Sequence, residues 1–318
     1  MKNKKIMYLL VILLILVIAT GCSKKHGNNS KKDDEYDASD FIYMLNLEKT
    51  GYIIAGVSNR DPYILKAKIP SKHNVLPVVG IGDSAFLGCT NLTSIEIPSS
   101  VTSIGEDAFY NCSALETIVV DKNNKVYDSR ENCNAIIKTS TNTLIVGCAN
   151  TVIPTSVTSI GYRAFSGCSS ITSIEIPSSV TNIGSYAFLG CSSLTSIEIP
   201  SSVTSIGNYT FSGCSNLTSI EIPNSVTSIG DYTFSGCTNL TSIEIPNSVT
   251  SIGEGAFYYC SNLTSIEIPN SVTSIGKAAF SGCSNLTIRC EANNKPSGWD
   301  NYWNPYNCAV VWGYKKYQ

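Results

Sequence analysis

The chain has 318 residues, 43% of them hydrophobic and only 14% charged, with a formal net charge of −2. This composition is apolar enough for an ordered core and excludes a wholly disordered chain. The weak net charge excludes the basic face that a nucleic-acid binder needs. The first predicted element is an apolar run from Ile6 to Ala19 behind Lys2, Lys4 and Lys5. Its length suits the h-region of a secretory signal better than a mature membrane-spanning helix.

That run ends in Ala19-Thr20-Gly21-Cys22, which resembles the lipobox of bacterial lipoproteins. The resemblance implies that residues 1–21 are a lipoprotein signal peptide, cleaved before Cys22, whose thiol then carries diacylglycerol. An ordinary signal peptide with a chance cysteine is the alternative. Several acyl chains would anchor the protein stably, where one would not. Removal of residues 1–21 takes away three lysines and no acid, leaving a mature charge of −5. Residues 22–40 are polar and charged, and they are expected to form a flexible tether. Within them Lys31-Lys32-Asp33-Asp34-Glu35 is a weak match to an outer-surface sorting signal, and a solvated linker is the plainer and preferred reading.

Residues 41–80 contain FIYMLNL and GYIIAG, which read as a hairpin and an N-terminal cap. From there the chain repeats itself. IGDSAFLGC at Ile81 recurs seven more times, with phenylalanines at 86, 109, 165, 188, 211, 234, 257 and 280. Each step is 23 residues except one of 56, which holds an insertion of 33. In the unit from Leu217 to Asn239, Leu217, Ile220 and Ile222 have L-x-x-L-x-L spacing. Ile220 and Ile222 alternate with Ser219 and Glu221, predicting a short strand with isoleucines inward. Pro223 ends that strand, since it has no N–H to give. Thr233, Phe234, Cys237 and Leu240 fall at helical spacing and predict a short helix or 3₁₀ turn. One unit buries too little to fold alone, so coils must stack.

The string SVTSIGxxAFxGCxxLTSIEIP resembles the BspA-like (Treponema-type) leucine-rich repeat. The resemblance covers roughly residues 60–290 and implies an α/β fold: a horseshoe-like leucine-rich-repeat solenoid of short strands and short helical turns. It also implies a bacterial cell-surface protein, often an adhesin, with no catalytic residues. The solenoid is expected over 81–290, interrupted by the insertion at 121–154, and residues 291–318 form a C-terminal cap. Trp299, Trp303 and Trp312 are expected as a lid over the last coil; an aromatic ligand patch is the alternative. In the insertion, NAIIK and TLIVG flank TSTNT as a plausible hairpin that projects or widens one coil. Lys122, Lys125, Arg130 and Lys138 make it locally basic, either for recognition or as a structural irregularity.

Cys89, Cys112, Cys168, Cys191, Cys214, Cys237, Cys260 and Cys283 share one repeat position and are expected as a buried column of thiols. Cys133 with Cys148, and Cys290 with Cys308, are possible disulfides in an exported protein. Neither His26 nor His73 is placed to activate a cysteine. There is no phosphate loop and no paired-carboxylate motif, so neither an enzyme nor a metal or other cofactor is expected. Five Asn-Leu-Thr triplets match glycosylation sequons, but their leucine is a core position.

Two exposed columns are candidate binding surfaces. Glu96, Glu175, Glu198, Glu221, Glu244 and Glu267 point outward from the strands, with serines alongside, and favour a basic partner. A solvated acidic face is the plainer alternative. Tyr186, Tyr209 and Tyr232 occupy the position two before the phenylalanine, held elsewhere by Ser84, Asp107, Arg163, Gly255 and Ala278. Exposed tyrosines anchor proteins or glycans, although packing between coils would also explain them. The expected function is therefore non-catalytic binding of an extracellular or host protein by a monomer, with a glycan or nutrient ligand, or a purely structural role, as alternatives. No nucleic acid is expected, and the membrane enters only through the lipid anchor.

Overall fold

The structure, a computed structural model, describes residues 35–36, 39–58 and 65–315. The signal peptide, Cys22, His26 and most of the tether lie outside the described residues. Residues 34–318 form one compact unit. Within it the chain winds as a succession of strand, strand and turn, one circuit per repeat, and equivalent segments of successive coils stack into three ladders.

The first ladder is built from the Ser-Ile-Glu segments. Strands Lys66–Lys68, Ser94–Ile97 and Thr117–Val120 pair in parallel, and Ser196–Glu198 pairs with Ser219–Glu221. Ser242–Glu244, Ser265–Ile268, Thr287–Cys290 and Ala309–Trp312 complete it. Isoleucines are buried and glutamates face outward, as alternation dictates. The second ladder is built from the Thr-Ser-Ile segments, such as Ser228–Ile229, Ser251–Ile252 and Ser274–Ile275, one isoleucine above the next.

The third side corrects an expectation. It contains no helix; the described residues hold one helical element, the 3₁₀ turn Arg130–Asn132. The fold is a β-solenoid rather than α/β. The reason is a competition between hydrogen bonds. Tyr232, Phe234 and Gly236 donate their N–H groups to Glu254, Ala256 and Tyr258 of the next coil at 2.7–2.8 Å. Ser235, Cys237 and Leu240 instead close tight turns onto Tyr232, Phe234 and Cys237. Donors committed to the neighbouring coil cannot close a helix, and left-handed residues at Tyr232 (φ 52°) and Gly236 (φ 73°) break helical winding.

The core is a stack of phenylalanine rings. From Phe165 to Phe280 adjacent rings lie 5.1–5.7 Å apart and nearly parallel. Phe86 and Phe109 form a second stack at 5.3 Å. Both outer ends are closed edge-on, by Phe41 against Phe86 and by Trp303 against Phe280. The tryptophan lid is thus a degenerate coil in its own right: Trp303 stands 23 residues after Phe280 and accepts its N–H, and Trp299 bridges Ile275 in the second ladder.

The insertion neither projects nor simply widens a coil. Its hairpin, Ala135–Lys138 with Thr143–Gly147, joins the second ladder through pairing of Leu144 with Ile160. Strand Ala135–Lys138 is buried on both faces: Ile136 belongs to the N-terminal core, and Ala135 and Ile137 to the C-terminal core. Asn124, buried at its entrance, donates to the carbonyls of Pro98 and Val101 and accepts the N–H groups of Val126 and Tyr127. Arg130 is held by Asp128 at 2.6 Å and by Asn142 and Ser156. The basic stretch is therefore partly committed to structure.

Candidate functional site

The first ladder carries the larger of two surface features. A groove of about 1060 Å³ runs across Ser173, Ser196, Ser219, Ser242 and Ser265 with Glu198, Glu221, Glu244 and Glu267. Glu198 stands in register with Glu221, and Glu244 with Glu267. Its floor is strand backbone, at Ile197, Ile220, Ile243 and Ile266 among others, whose side chains are buried in the core. Glu175 is exposed on the coil where the ladder lapses from strand geometry. At the two ends the acidic row meets cations: Lys68 bonds Glu96 at 2.9 Å, and Arg289 stands beside Glu267 in register. Sequence spacing gave this row; it did not reveal that Arg289 stands beside Glu267, because the repeat decays at that residue.

The third side carries the tyrosine row. Tyr186 and Tyr209 stack at 4.7 Å and 4°, and Tyr209 and Tyr232 at 4.9 Å and 12°. The row extends beyond the three tyrosines. The Arg163 guanidinium lies 4.9 Å from the Tyr186 ring centre, 5.1 Å from that of Tyr162, and pairs with Asp107. At the other end Tyr232 donates its hydroxyl to Glu254 at 2.8 Å, and that carboxylate pushes the phenol up to about 12. A Cβ on Gly255 would come within 2.3 Å of the Tyr232 ring, so the smallest residue leaves room for the last tyrosine. Every residue of this column is left-handed, with φ of 52–61° from Ser84 to Ala278. A non-glycine residue there is uncommon; the N–H groups of the column bond the next coil, as Ser84 does to Glu106, Tyr232 to Glu254 and Ala278 to Tyr302.

Beside the tyrosines runs a ladder that sequence reading missed. Asp83, Asn208 and Asp231 each accept the backbone N–H of the next coil, at Glu106, Asp231 and Glu254 respectively, at 2.8–2.9 Å. The signal was present as a recurrent Asp or Asn after Ile-Gly. Asn239 and Asn262 of the sequon-like triplets likewise donate their amides to Asn216 and Asn239 one coil back.

The cysteine column is buried. Cys191, Cys214, Cys237, Cys260 and Cys283 donate S–H to the carbonyl of the phenylalanine one coil back at 3.0–3.3 Å. Burial pushes the Cys214 thiol up to about 12. The two bracketing pairs, expected as possible disulfides, stand as thiols. Cys148 donates to Asn134 while Cys133 turns to Ala135 on the other side of the hairpin. Cys308 donates to Cys283 at 3.3 Å, continuing the column, whereas Cys290 is buried in strand Thr287–Cys290. Among the described residues, no group of three or more His, Cys, Asp or Glu side chains is arranged to hold a metal ion. His73 stacks on Tyr43 at 3.6 Å in the N-terminal cap.

A family model described as BspA type leucine rich repeat region matches in six copies, over residues 66–145, 146–226 and 204–295. Among solved structures, a leucine-rich repeat protein from Bacteroides ovatus is 34% identical with a TM-score of 0.59, covering 87% of this chain and 71% of that one. A leucine-rich repeat protein from Eubacterium ventriosum (20% identity, TM-score 0.53, 82% of this chain and 95% of that one) shares the fold. So does the pneumococcal vaccine antigen PcpA (17% identity, TM-score 0.59, 78% and 67%). Among curated proteins none matches the chain in sequence. No enzyme family is indicated by these likenesses.

Proposed function

The chain belongs to the BspA type leucine-rich-repeat family, and from that premise we propose that it is a non-catalytic, adhesin-like binding protein displayed outside the cell. Its partner is a protein segment that lies along the Ser-Ile-Glu groove. The observation that carries this reading is the groove itself, which repeats one chemical face over successive coils. Strands about 4.8 Å apart place serine hydroxyls and carboxylates in parallel rows. Rows of that kind suit an extended partner with positive charge, whose lysines or arginines meet the carboxylates from a distance. Export is supported by the signal run and the lipobox at Cys22.

The tyrosine row supports a protein partner over a glycan. A sugar stacks on the open face of an aromatic ring. Here the faces of Tyr186, Tyr209 and Tyr232 are spent on one another, and edges and hydroxyls are what remain for a ligand. Folding needs account for part of this row, so the tyrosines are the secondary candidate contact.

The test is a binding screen of residues 34–318 against extracellular-matrix and plasma proteins, with two variants. One changes Glu198, Glu221 and Glu244 to glutamine; the other changes Tyr186, Tyr209 and Tyr232 to alanine. Saturable, salt-sensitive binding of one protein, lost in the glutamine variant, is expected. Binding that survives the glutamine variant and vanishes in the alanine variant moves the site to the third side. Absence of any protein binding at micromolar concentration overturns the adhesin reading.

A further inference from the structure

The N-terminal cap exposes aliphatic side chains that the fold does not require there. Two hairpins lie side by side in its sheet: Phe41–Leu45 with Tyr52–Val57, and Lys72–His73 with Leu76–Ile81. Parallel pairing of Tyr52 with Val78 aligns them. Since Leu45 faces Tyr52 and His73 faces Leu76, both turns emerge at the same end of the sheet. The His73 ring, stacked on Tyr43 at 3.6 Å and edge-on to Tyr52 at 4.8 Å, locks one hairpin to the other. Gly51 packs so closely on Val79 and Pro77 that a Cβ would not fit.

Both turns are well formed. Asn46 accepts the N–H groups of Thr50 and Gly51 at 2.8 and 3.2 Å, and Lys49 and Asn74 take the left-handed conformation that closes each turn. From these turns Leu47 stands 96% exposed and Val75 86% exposed, with Met44 and Leu45 about half exposed beside them. One exposed aliphatic residue is ordinary; four at one end of one sheet are a patch. Each turn also carries an exposed lysine within three residues of its tip, Lys49 beside Leu47 and Lys72 beside Val75. The one carboxylate in the turns, Glu48, accepts the Asn46 amide at 3.1 Å.

We propose that the paired turns are a membrane-contact site, in which Leu47 and Val75 enter the interfacial zone of an anionic bilayer and Lys49 and Lys72 stay among its headgroups. An aliphatic tip with a cation at its base is the pattern of an interfacial anchor. Protein hot spots are built instead from tryptophan, tyrosine and arginine in a closed pocket, and these tips are convex and aliphatic. The patch belongs to the first hairpin after the tether, at the end of the strand that Phe41 begins. Phe41 lies nineteen positions after Cys22, a reach of at most about 65 Å, so an anchor at Cys22 would leave these tips within reach of its own membrane. The orientation rests on that reading of Cys22; the contact is tested without it.

The experiment is co-sedimentation of residues 34–318, the compact unit, with two sets of vesicles: equimolar phosphatidylcholine and phosphatidylglycerol, and phosphatidylcholine alone. The fragment is expected to sediment with the anionic vesicles. Leu47→Ser with Val75→Ser should weaken that partition by about tenfold or more at an unchanged urea midpoint, because both side chains are solvent-exposed. Lys49→Gln with Lys72→Gln should weaken it on anionic vesicles only. A parent that stays in the supernatant with both vesicles, or a serine variant that sediments as the parent does, overturns the proposal. So does self-association abolished by the serine variant without vesicle binding, which would assign the tips to a second copy. The assay contains no protein ligand, so its failure leaves the groove reading standing.

Discussion

At Cys237 the sulfur is wholly buried and its proton is given to the Phe211 carbonyl at 3.2 Å. A thiol in that setting is held neutral, since burial opposes the thiolate. Cys168, Cys214 and Cys290 are each pushed up to about 12 by burial, against an ordinary value near 9. The sign of the consequence follows. Below the ordinary value both folded and unfolded chains keep the proton, and these thiols add no pH dependence. Above it the unfolded chain loses protons that the folded chain retains, so stability falls as pH rises toward 12. Each such thiol removes up to about 1.4 kcal/mol per pH unit. The urea midpoint should therefore drop between about pH 8 and about pH 10.5, and Cys214→Ala with Cys237→Ala should drop less steeply than the parent. Equal slopes would mean that lysines and tyrosines alone set the decline. In the native state a thiol reagent should reach Cys308, which is partly exposed, before any member of the buried column.

The insertion shows how far an element can be read from its residues. The alternation of NAIIK and TLIVG marked two strands, and the structure holds both. What alternation could not convey is that Ala135, Ile136 and Ile137 are all fully buried, because each face meets a different core. Nor does a glycine after Val146 announce its place. Gly147 sits against the ring of Phe165, where a Cβ would lie 2.0 Å from the nearest ring carbon. The Phe stack, broken by the insertion, is sealed there by bare backbone. Phe165 cannot retreat, since Phe188 lies 5.1 Å behind it. Gly147→Ala should therefore cost about 2–3 kcal/mol, the scale of an overpacked core, read as a lowered urea midpoint. Phe165→Leu in the same chain should recover part of that loss. An unchanged midpoint for the single variant would mean the ring has room to move. The period, the buried isoleucines and phenylalanines and the outward glutamate column were legible because repetition averages out noise, whereas the tyrosine column, expected to be exposed, is half-buried by its own stacking. The turn side was not, because tyrosine, arginine and aspartate carry no signal for a left-handed backbone.

Across the whole molecule, coils touch mainly their neighbours, and the insertion divides the core into two clusters. One runs from Phe41 to Tyr127 with Ile136 and Cys148; the other runs from Cys133 to Trp303. The two share the hairpin's backbone but not a phenylalanine stack. A solenoid in which each coil is stabilised by its neighbours unfolds by segments when one interface is weaker than the rest. The junction at the insertion is the weaker place, because ring stacking there gives way to a glycine and to the pairing of Asp107 with Arg163. Phe257→Ala, between Phe234 and Phe280 in the longer stack, should cost about 3–5 kcal/mol, and that cost should fall on the C-terminal cluster alone. Hydrogen exchange is the measurement that separates the cases. In the variant, amides of strands Ser219–Glu221, Ser242–Glu244 and Ser265–Ile268 should lose protection, while those of Ser94–Ile97 and Thr117–Val120 keep theirs. If all five strands lose protection together, the hairpin couples the two cores into one cooperative unit, and the strand Ala135–Lys138, packed from both sides, is what couples them.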